Sequence, residues 1–130
     1  TMPALPWGSA VLHCVSAYPC PVDQVNLAAI QALREMIWAD IRAHYHIGLS
    51  DHTAHVLTGA LAVAAGAEVI EVHFRLDDTD PHNPDYNHSL TPAQLGEYIR
   101  NVRLAENMLG DGMKKVEDAE RPNVRYQVRP

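Results

Sequence analysis

Two histidines in matching positions are the residues best suited to chemistry in this sequence. His52 follows a short strand-like run, residues 46–51, and His73 stands near the end of a second such run, residues 68–74. A helix-like segment separates the two runs, so together they are typical of a strand-helix-strand unit. In a parallel α/β sheet, functional groups collect where the strands end. We therefore expect His52 and His73 to lie side by side at one rim of a sheet.

A pair of imidazoles at one rim indicates a divalent metal site, because neutral histidine is a good ligand for manganese, iron, cobalt or zinc. Asp51 and Glu71 support this interpretation, since a metal-bound histidine usually has a carboxylate or a carbonyl behind it. The same carboxylates also fit a structural ion pair. Each histidine would then make only a hydrogen bond at a strand end, and the residues alone leave both interpretations open.

The other six histidines are weaker candidates, namely His13, His44, His46, His55, His82 and His88. A pair made of His52 and His55 is discounted because a junction between strand and helix does not keep the spacing of a helical turn. We expect His13 to be a hydrogen-bonded core residue, and His82 and His88 to be solvated in a polar loop. Ser16 and Ser50 end two predicted strands, where hydroxyls and backbone N–H groups can bind phosphate or carboxylate.

The elements that would position these residues alternate between strand and helix. In chain order they are a strand over 10–18, buried on both faces, a helix over 25–43, a strand over 45–50, a helix over 54–65, a strand over 69–74, a polar loop over 75–89 and a helix from Pro92 to Gly110 or Gly112. Residues typical of helix ends flank the helices: Asp23, then Asp51 or Thr53, then Gly66, and Thr91 before Pro92. The pattern predicts an α/β fold with parallel neighbouring strands.

Length and composition exclude several classes of protein. At 130 residues we expect one domain over residues 1–112 and a charged tail or linker over 113–130. A net charge of −6, with 10 basic against 16 acidic residues, argues against a nucleic-acid partner. No apolar run approaches the roughly 20 residues of a membrane span, and no signal peptide is evident. We expect a cytoplasmic protein in which Cys14 and Cys20 are free thiols.

Several catalytic motifs are absent from the sequence. It has no nucleophile elbow, no Walker loop, no GxGxxG and no Cys-x-x-Cys. Hydrolase triads and nucleotide cofactors are therefore disfavoured.

Three ordered segments resemble the sialic acid synthase family, which includes N-acetylneuraminate, legionaminate and pseudaminate synthases and proteins of spore-coat polysaccharide synthesis. The segments are Leu-His-Cys-Val-Ser at 12–16 followed by Tyr18-Pro19, Gly-Leu-Ser-Asp-His-Thr at 48–53, and Gly-Ala-Glu-Val-Ile-Glu-Val-His-Phe at 66–74. The resemblance covers about residues 11–109. It implies part of a TIM barrel, with the three strands matching barrel strands six to eight.

The resemblance also implies an activity and a site. The family condenses phosphoenolpyruvate with an N-acetylated aldose, such as N-acetylmannosamine, to a nine-carbon 2-keto sugar acid. It implies a divalent metal on His52 and His73, most often Mn²⁺, with Mg²⁺ or Co²⁺ as alternatives. Ser50 would contact phosphoenolpyruvate, and Ser16 stands where many members place a polar contact to it. Tyr18 and Asp85 would contact the sugar, and Asp85 and Glu71 are the candidate catalytic carboxylates.

This chain departs from the family pattern in several ways. The barrel strands that carry the lysines for phosphoenolpyruvate are missing, as is the small C-terminal domain. Asp85 comes one residue late, and Asn83 replaces the glycine of its motif. We expect a fragment or short homologue that is inactive alone and that covers its open sheet by forming a homo-oligomer. The alternatives are a non-catalytic metal- or sugar-binding half-barrel, a structural remnant without ligand, and another phosphoenolpyruvate aldol-type synthase with the same barrel.

Overall fold

A computed structural model of the chain describes residues 6–38 and 45–126. Its strands are β1 (Ala10–Cys14), β2 (His46–Asp51) and β3 (Val69–Val72), and its α-helices are α1 (Ala28–Trp38), α2 (Thr58–Ala64) and α3 (Pro92–Leu109). Short 3-10 helices cover Tyr86–His88 and Asp118–Tyr126. The strands form one parallel sheet in the order β1-β2-β3. The predicted α/β class and parallel neighbours are confirmed.

Within the described residues, helices cover one face of this sheet and leave the other open. Ile47, Leu49 and Asp51 of β2 point to the covered face and are almost fully buried. Ile47 and Leu49 pack in a core with Ile30 and Ile37 of α1 and Ala62 of α2. On the opposite face, Ser50 lies beside Glu71, which is exposed. The sheet therefore has an apolar helix-covered side and an open side that carries polar groups at its rim.

The first strand differs from its prediction. β1 stops at Cys14 instead of residue 18. Its two end residues are exposed and the three between them are half-buried. Cys14 pairs with Ser50, one residue before β2 ends, and beyond it the Ala17 N–H turns back to the carbonyl of Val15 (2.8 Å). The expected burial on both faces was wrong because helix packing reaches only one face of this edge strand.

Two helices begin later than the sequence predicted. Turns occupy residues 22–24 and Asn26 has a φ of 48°, so α1 starts at Ala28 and Asp23 does not cap it. Ala54 has a φ of 53°, and α2 starts at Thr58 with Leu57 as an N-cap that makes no side-chain hydrogen bond. The last predicted turn of the first helix, with Ile41, and His44 lie outside the described residues.

The helix ends with strong local signals match their predictions. Gly66, at a φ of 97°, follows α2, and the N–H groups of Gly66 and Ala67 donate to the carbonyls of Val63 and Ala62, both at 2.9 Å. Thr91 caps α3 in a reciprocal capping box with Gln94, and a proline opens the helix. Gly110 ends it.

The long loop after β3 returns to the strand that it left. Phe74 and Leu90 form a parallel bridge, the Leu90 N–H donates to the carbonyl of His73 (2.9 Å) and the Arg75 N–H donates to Leu90 (3.0 Å). This closure places residues 88–90 against the carboxyl end of β3. Among the described helices, none has the length and hydropathy to cross a bilayer.

Candidate functional site

The rim at the carboxyl ends of β2 and β3 gathers the candidate residues. Ser50 and Glu71 are direct partners in the register of the two strands. The Ser50 hydroxyl donates to Glu71 Oε2 at 2.6 Å, a distance typical of a hydrogen bond to an ionised carboxylate. Two residues further along each strand come His52 and His73, on the same face by the alternation of a strand.

His52 is held with one ring nitrogen directed into the rim. The residue is 4% exposed, and its Nδ1 lies 3.0 Å from the carbonyl of Val15. A carbonyl only accepts, so Nδ1 carries the proton and Nε2 keeps its lone pair. Nε2 lies 3.3 Å from Ser50 Oγ, whose single hydrogen is directed to Glu71. In the neutral ring of His52, Nε2 thus receives no hydrogen from Ser50, and its lone pair is free to bind a cation.

The structure brings His52 and His73 together as expected. Their ring centroids are 5.2 Å apart, and one donor atom each from His52, Glu71 and His73 lie within 4.8 Å of one another. His52 is buried, His73 half-buried and Glu71 exposed. The group therefore opens to solvent on the carboxylate side.

Asp51 takes no part in this group. It is fully buried on the covered face, where Oδ1 accepts from the N–H and hydroxyl of Thr53 (2.8 and 2.7 Å) and Oδ2 accepts from the Tyr98 hydroxyl (2.9 Å). Burial, and after it the Asp51 carboxylate, raise the pKa of Tyr98 well above its ordinary range. Asp51 thus joins β2 to α3. The expectation that it stands behind a ligating histidine or caps α2 was wrong, and the Val15 carbonyl orients His52 instead.

The segment after β1 supplies one aromatic wall of the site. The Tyr18 ring lies 4.4 Å from the His52 ring and 4.9 Å from the His88 ring, and the residue is 55% exposed. The Cys20 N–H donates to the carbonyl of His52 (2.8 Å), which fixes this segment against the rim. Ser16 is exposed beyond the end of β1, and none of the described histidine contacts involves it.

Asp85 reaches the site from the returning loop. Its Oδ2 lies 3.6 Å from His73 Nδ1, and its Oδ1 lies 3.4 Å from His88 Nε2. The carboxylate is exposed and borders a cavity of about 230 Å³ that His73, Tyr86 and Ser89 also line. A larger cavity, about 350 Å³, lies between β3 and α3 on the covered face. Its lining is mostly apolar but includes Glu68, Arg103 and Glu106, and no histidine.

His88 is the residue that the sequence interpretation missed. It was expected to be solvated with His82, yet it is 2% exposed, while His82 is exposed as expected. Its ring centroid lies 4.5 Å from that of His73 and 6.0 Å from that of His52. Burial, and after it the neighbouring His73, lower the pKa of His88, which favours the neutral ligand form.

Loop closure explains why polarity was a poor guide to His88. The loop ends beside the strand from which it began, so its last residues are buried although most of its composition is polar. The available signal was position, since His88 stands three residues before the Thr91 cap and beside the buried Leu90.

The remaining described histidines have other partners. His13 Nε2 lies 2.9 Å from the carbonyl of Val25, as expected for a hydrogen-bonded core residue. His46 Nδ1 pairs with Glu68 (2.7 Å), and His55 Nδ1 accepts from the Leu57 N–H (3.3 Å). Both cysteines are free thiols.

The donors at the rim fit a divalent cation. Imidazole nitrogen and carboxylate oxygen suit manganese, iron, cobalt and zinc. His52 Nε2 carries an available lone pair, and within the described ranges neither ring nitrogen of the buried His88 has a hydrogen-bond partner. A buried polar group without a partner in the protein is costly unless an ion or a water molecule satisfies it.

Comparison with known proteins points to one family. The NeuB family model matches residues 8–114. The N,N'-diacetyllegionaminic acid synthase of Legionella pneumophila is 40% identical over 119 residues, which cover 92% of this chain and 31% of that protein. The human N-acetylneuraminate-9-phosphate synthase is 39% identical over 105 residues, covering 81% of this chain and 28% of that protein.

Solved structures agree with the sequence relatives. The N-acetylneuraminic acid synthetase of Leptospira borgpetersenii superposes with a TM-score of 0.71 at 32% identity, covering 89% of this chain and 38% of that one. A putative spore coat polysaccharide biosynthesis protein E of Chromobacterium violaceum also has a TM-score of 0.71, at 33% identity. This chain spans about a third of the length of the curated relatives that it matches. By the family model, the relatives and the fold, it belongs to the NeuB family.

Proposed function

We propose that this chain carries the metal- and sugar-binding side of a sialic acid synthase site. The reaction is the condensation of phosphoenolpyruvate with an N-acetylated aldose, such as N-acetylmannosamine, to a nine-carbon 2-keto sugar acid. The observation that supports it best is the convergence of His52, Glu71 and His73 within 4.8 Å at one rim of a NeuB-family sheet.

In this proposal the three strands are the sixth to eighth strands of a TIM barrel. The open face of the sheet would then be the barrel interior, and the carboxyl-end rim would be the catalytic end. The one-sided helix packing on β2 supports this assignment, since the described helices pack on the face of Ile47 and Leu49.

His52 and His73 are the residues that would hold the divalent ion, with Mn²⁺ preferred over Mg²⁺ or Co²⁺. A bound ion with open positions supplies Lewis-acid polarisation of the aldehyde oxygen. The protein's own contribution is to hold His52 in one tautomer through the Val15 carbonyl and to keep Glu71 hydrogen-bonded to Ser50. Both contacts preset the donor positions before substrate arrives.

The polar side chains around the histidines have separate roles in the proposal. Tyr18 and Asp85 contact the sugar, and Ser50 and Ser16 contact phosphoenolpyruvate. Glu71 and Asp85 are the carboxylates that can take up the proton released when water adds at C2, because both are exposed at the rim and can receive a proton from solvent-accessible groups. The aromatic face of Tyr18 beside His52 offers an apolar wall to the sugar.

A direct test is calorimetric titration of the metal-stripped chain with Mn²⁺. We expect the wild type to bind and the His52→Ala, His73→Ala double variant to lose binding, since two imidazole donors are removed. The control is His82→Ala, which removes an exposed histidine away from the rim. Equal affinity in wild type and double variant would contradict the proposed site.

The catalytic part of the proposal has its own assay. We propose that the separate chain does not turn over, because the family's phosphoenolpyruvate lysines belong to barrel strands that are not among its three. Phosphate release from phosphoenolpyruvate with N-acetylmannosamine should stay at background for the chain alone. Metal-dependent phosphate release by the purified chain would show that this part is wrong.

We also propose that the chain forms a homo-oligomer. Both edge strands, β1 and β3, pair only with β2 in the described sheet, and its open face lacks a covering layer. Unpaired edges and open sheet faces invite association with a second copy.

A further inference from the structure

A second group of potential ligands lies beside the first and shares one histidine with it. One donor atom each from His73, Asp85 and His88 lie within 4.8 Å of one another. Two imidazoles and one carboxylate form a donor set that binds borderline divalent ions such as Zn²⁺, Fe²⁺ or Co²⁺. The proposed synthase site uses His73 with His52, and nothing in it requires His88.

The distances within this second group match ligands around a common ion. His73 Nδ1 lies 3.6 Å from Asp85 Oδ2, and His88 Nε2 lies 3.4 Å from Asp85 Oδ1. Both separations are long for hydrogen bonds. Two ligand atoms that each lie about 2.1 Å from a tetrahedral ion are about 3.4 Å apart. Each of the two Asp85 oxygens therefore lies near one imidazole at about the spacing of two ligands on one ion.

The burial of His88 is a second, independent indication. The residue is 2% exposed, and in the described part of the chain neither of its ring nitrogens has a hydrogen-bond partner. Leaving a buried polar group unsatisfied destabilises the fold. Its Nε2 lies 3.4 Å from Asp85 Oδ1, so a cation held by both would remove this cost.

We propose that His73, Asp85 and His88 form a second cation site that takes a Zn²⁺-class ion. A neutral imidazole has one lone pair, so His73 serves only one of the two groups at a time. The two sites therefore compete, and one chain binds one ion in total. An ion in the second site withdraws His73 from the group that includes His52.

The test is calorimetric titration of the metal-stripped full chain with Zn²⁺. His52→Ala should still bind one equivalent, through the second group. Adding His88→Ala to that variant should weaken binding by at least about 10- to 100-fold, the loss usual even for residues that only support a ligand. His52→Ala, His82→Ala is the matched double control and should bind like His52→Ala.

Two further variants guard against misfolding. His88→Gln keeps much of the side-chain volume, and Asp85→Asn changes an exposed carboxylate that is 59% accessible. In the His52→Ala background each should weaken Zn²⁺ binding, with a circular dichroism spectrum like that of the parent. Unchanged affinity in the Asp85→Asn or His88 variants would overturn the second site, and so would a His52→Ala chain that binds no Zn²⁺ while the wild type binds it.

The outcome is separable from that of the proposed function. His88→Ala on its own tests the first group, since His52, Glu71 and His73 remain. If His88→Ala loses Zn²⁺ binding while His52→Ala keeps it, the second site is supported and the first is contradicted. Two equivalents of Zn²⁺ per wild-type chain would contradict the proposed competition for His73.

Discussion

At the scale of single residues, the strand alternation decides what each rim side chain can do. Ser50 and His52 point to the open face, whereas Asp51 between them points to the helices and is fully buried. The pairing of His52 with His73 was predictable, because equivalent positions of neighbouring strands meet at one rim. The role of Asp51 was not predictable, because the sequence of a strand end does not show whether a carboxylate there faces a ligand or a helix.

We expect Ser50→Ala to weaken Mn²⁺ binding by about tenfold, the lower end of the usual range for residues that orient a ligand. The hydroxyl that it removes donates to Glu71 Oε2 at 2.6 Å and lies 3.3 Å from His52 Nε2. Calorimetric titration measures the change, and Ser16→Ala is the control at an exposed serine. An unchanged dissociation constant for Ser50→Ala would show that Glu71 needs no such support.

At the scale of secondary-structure elements, helix ends that depend on adjacent residues were predicted well. Helix ends that depend on tertiary contacts were predicted poorly. The capping box of α3 and the glycine after α2 depend on a few adjacent residues, so the sequence contains them. The start of α2 depends on the left-handed Ala54 and on Thr53, whose hydroxyl is held by Asp51 and contacts Thr58 Oγ1 at 2.7 Å. These contacts form only when the rim folds. The sequence therefore contains no pattern that marks this helix start.

Tyr98→Phe should destabilise the protein by about 1 to 3 kcal/mol at neutral pH, because it leaves Asp51 Oδ2 without its donor. In the folded protein the pKa of Tyr98 is raised above its ordinary value of about 10. The stability that this shift contributes is therefore complete below pH of about 10 and declines as the pH rises further, since only the unfolded chain then loses the proton.

Urea unfolding between neutral and strongly alkaline pH measures both effects. The wild type should lose more of its unfolding free energy above pH of about 10 than Tyr98→Phe does. Tyr18→Phe, at an exposed tyrosine, should behave like the wild type. Parallel alkaline losses in wild type and Tyr98→Phe would refute the link.

The sheet also depends on a close approach at Gly48. A Cβ at this position would lie 1.9 Å from the carbonyl oxygen of Val69 and 2.7 Å from Leu12 Cδ2. Because the first contact is with backbone, β2 and β3 would have to separate, and we expect Gly48→Ala to cost about 3 kcal/mol or more.

The matched control is Gly96→Ala in α3, where the nearest atom, Arg100 Nη1, would lie at an ordinary 3.5 Å. Alanine favours a helix interior, so this variant should gain about 0.5 to 1 kcal/mol. Thermal unfolding of the two variants should move in opposite directions. Similar midpoints would show that the strand approach at Gly48 is not as tight as described.

At the scale of the whole molecule, the sequence predicted the fold class, while the surroundings of the sheet were implied only by family resemblance. Alternating apolar patterns identify strands and helices, but they do not say what covers the second face of a sheet. Here the open face carries the half-buried Leu12 and Val69 around Gly48, below the polar rim. Apolar side chains at this position favour contact with a second layer.

If a second copy supplies that layer, a charge at Leu12 should prevent it. We expect the wild type to sediment as a dimer or larger species and Leu12→Glu to shift toward monomer, because a carboxylate would be buried at the interface without a partner. Met108→Glu is the control, since Met108 is 77% exposed near the end of α3. Sedimentation velocity over a range of protein concentrations distinguishes the outcomes. A wild type that stays monomeric throughout, or two variants that dissociate alike, would mean that a surface other than the open face determines the assembly.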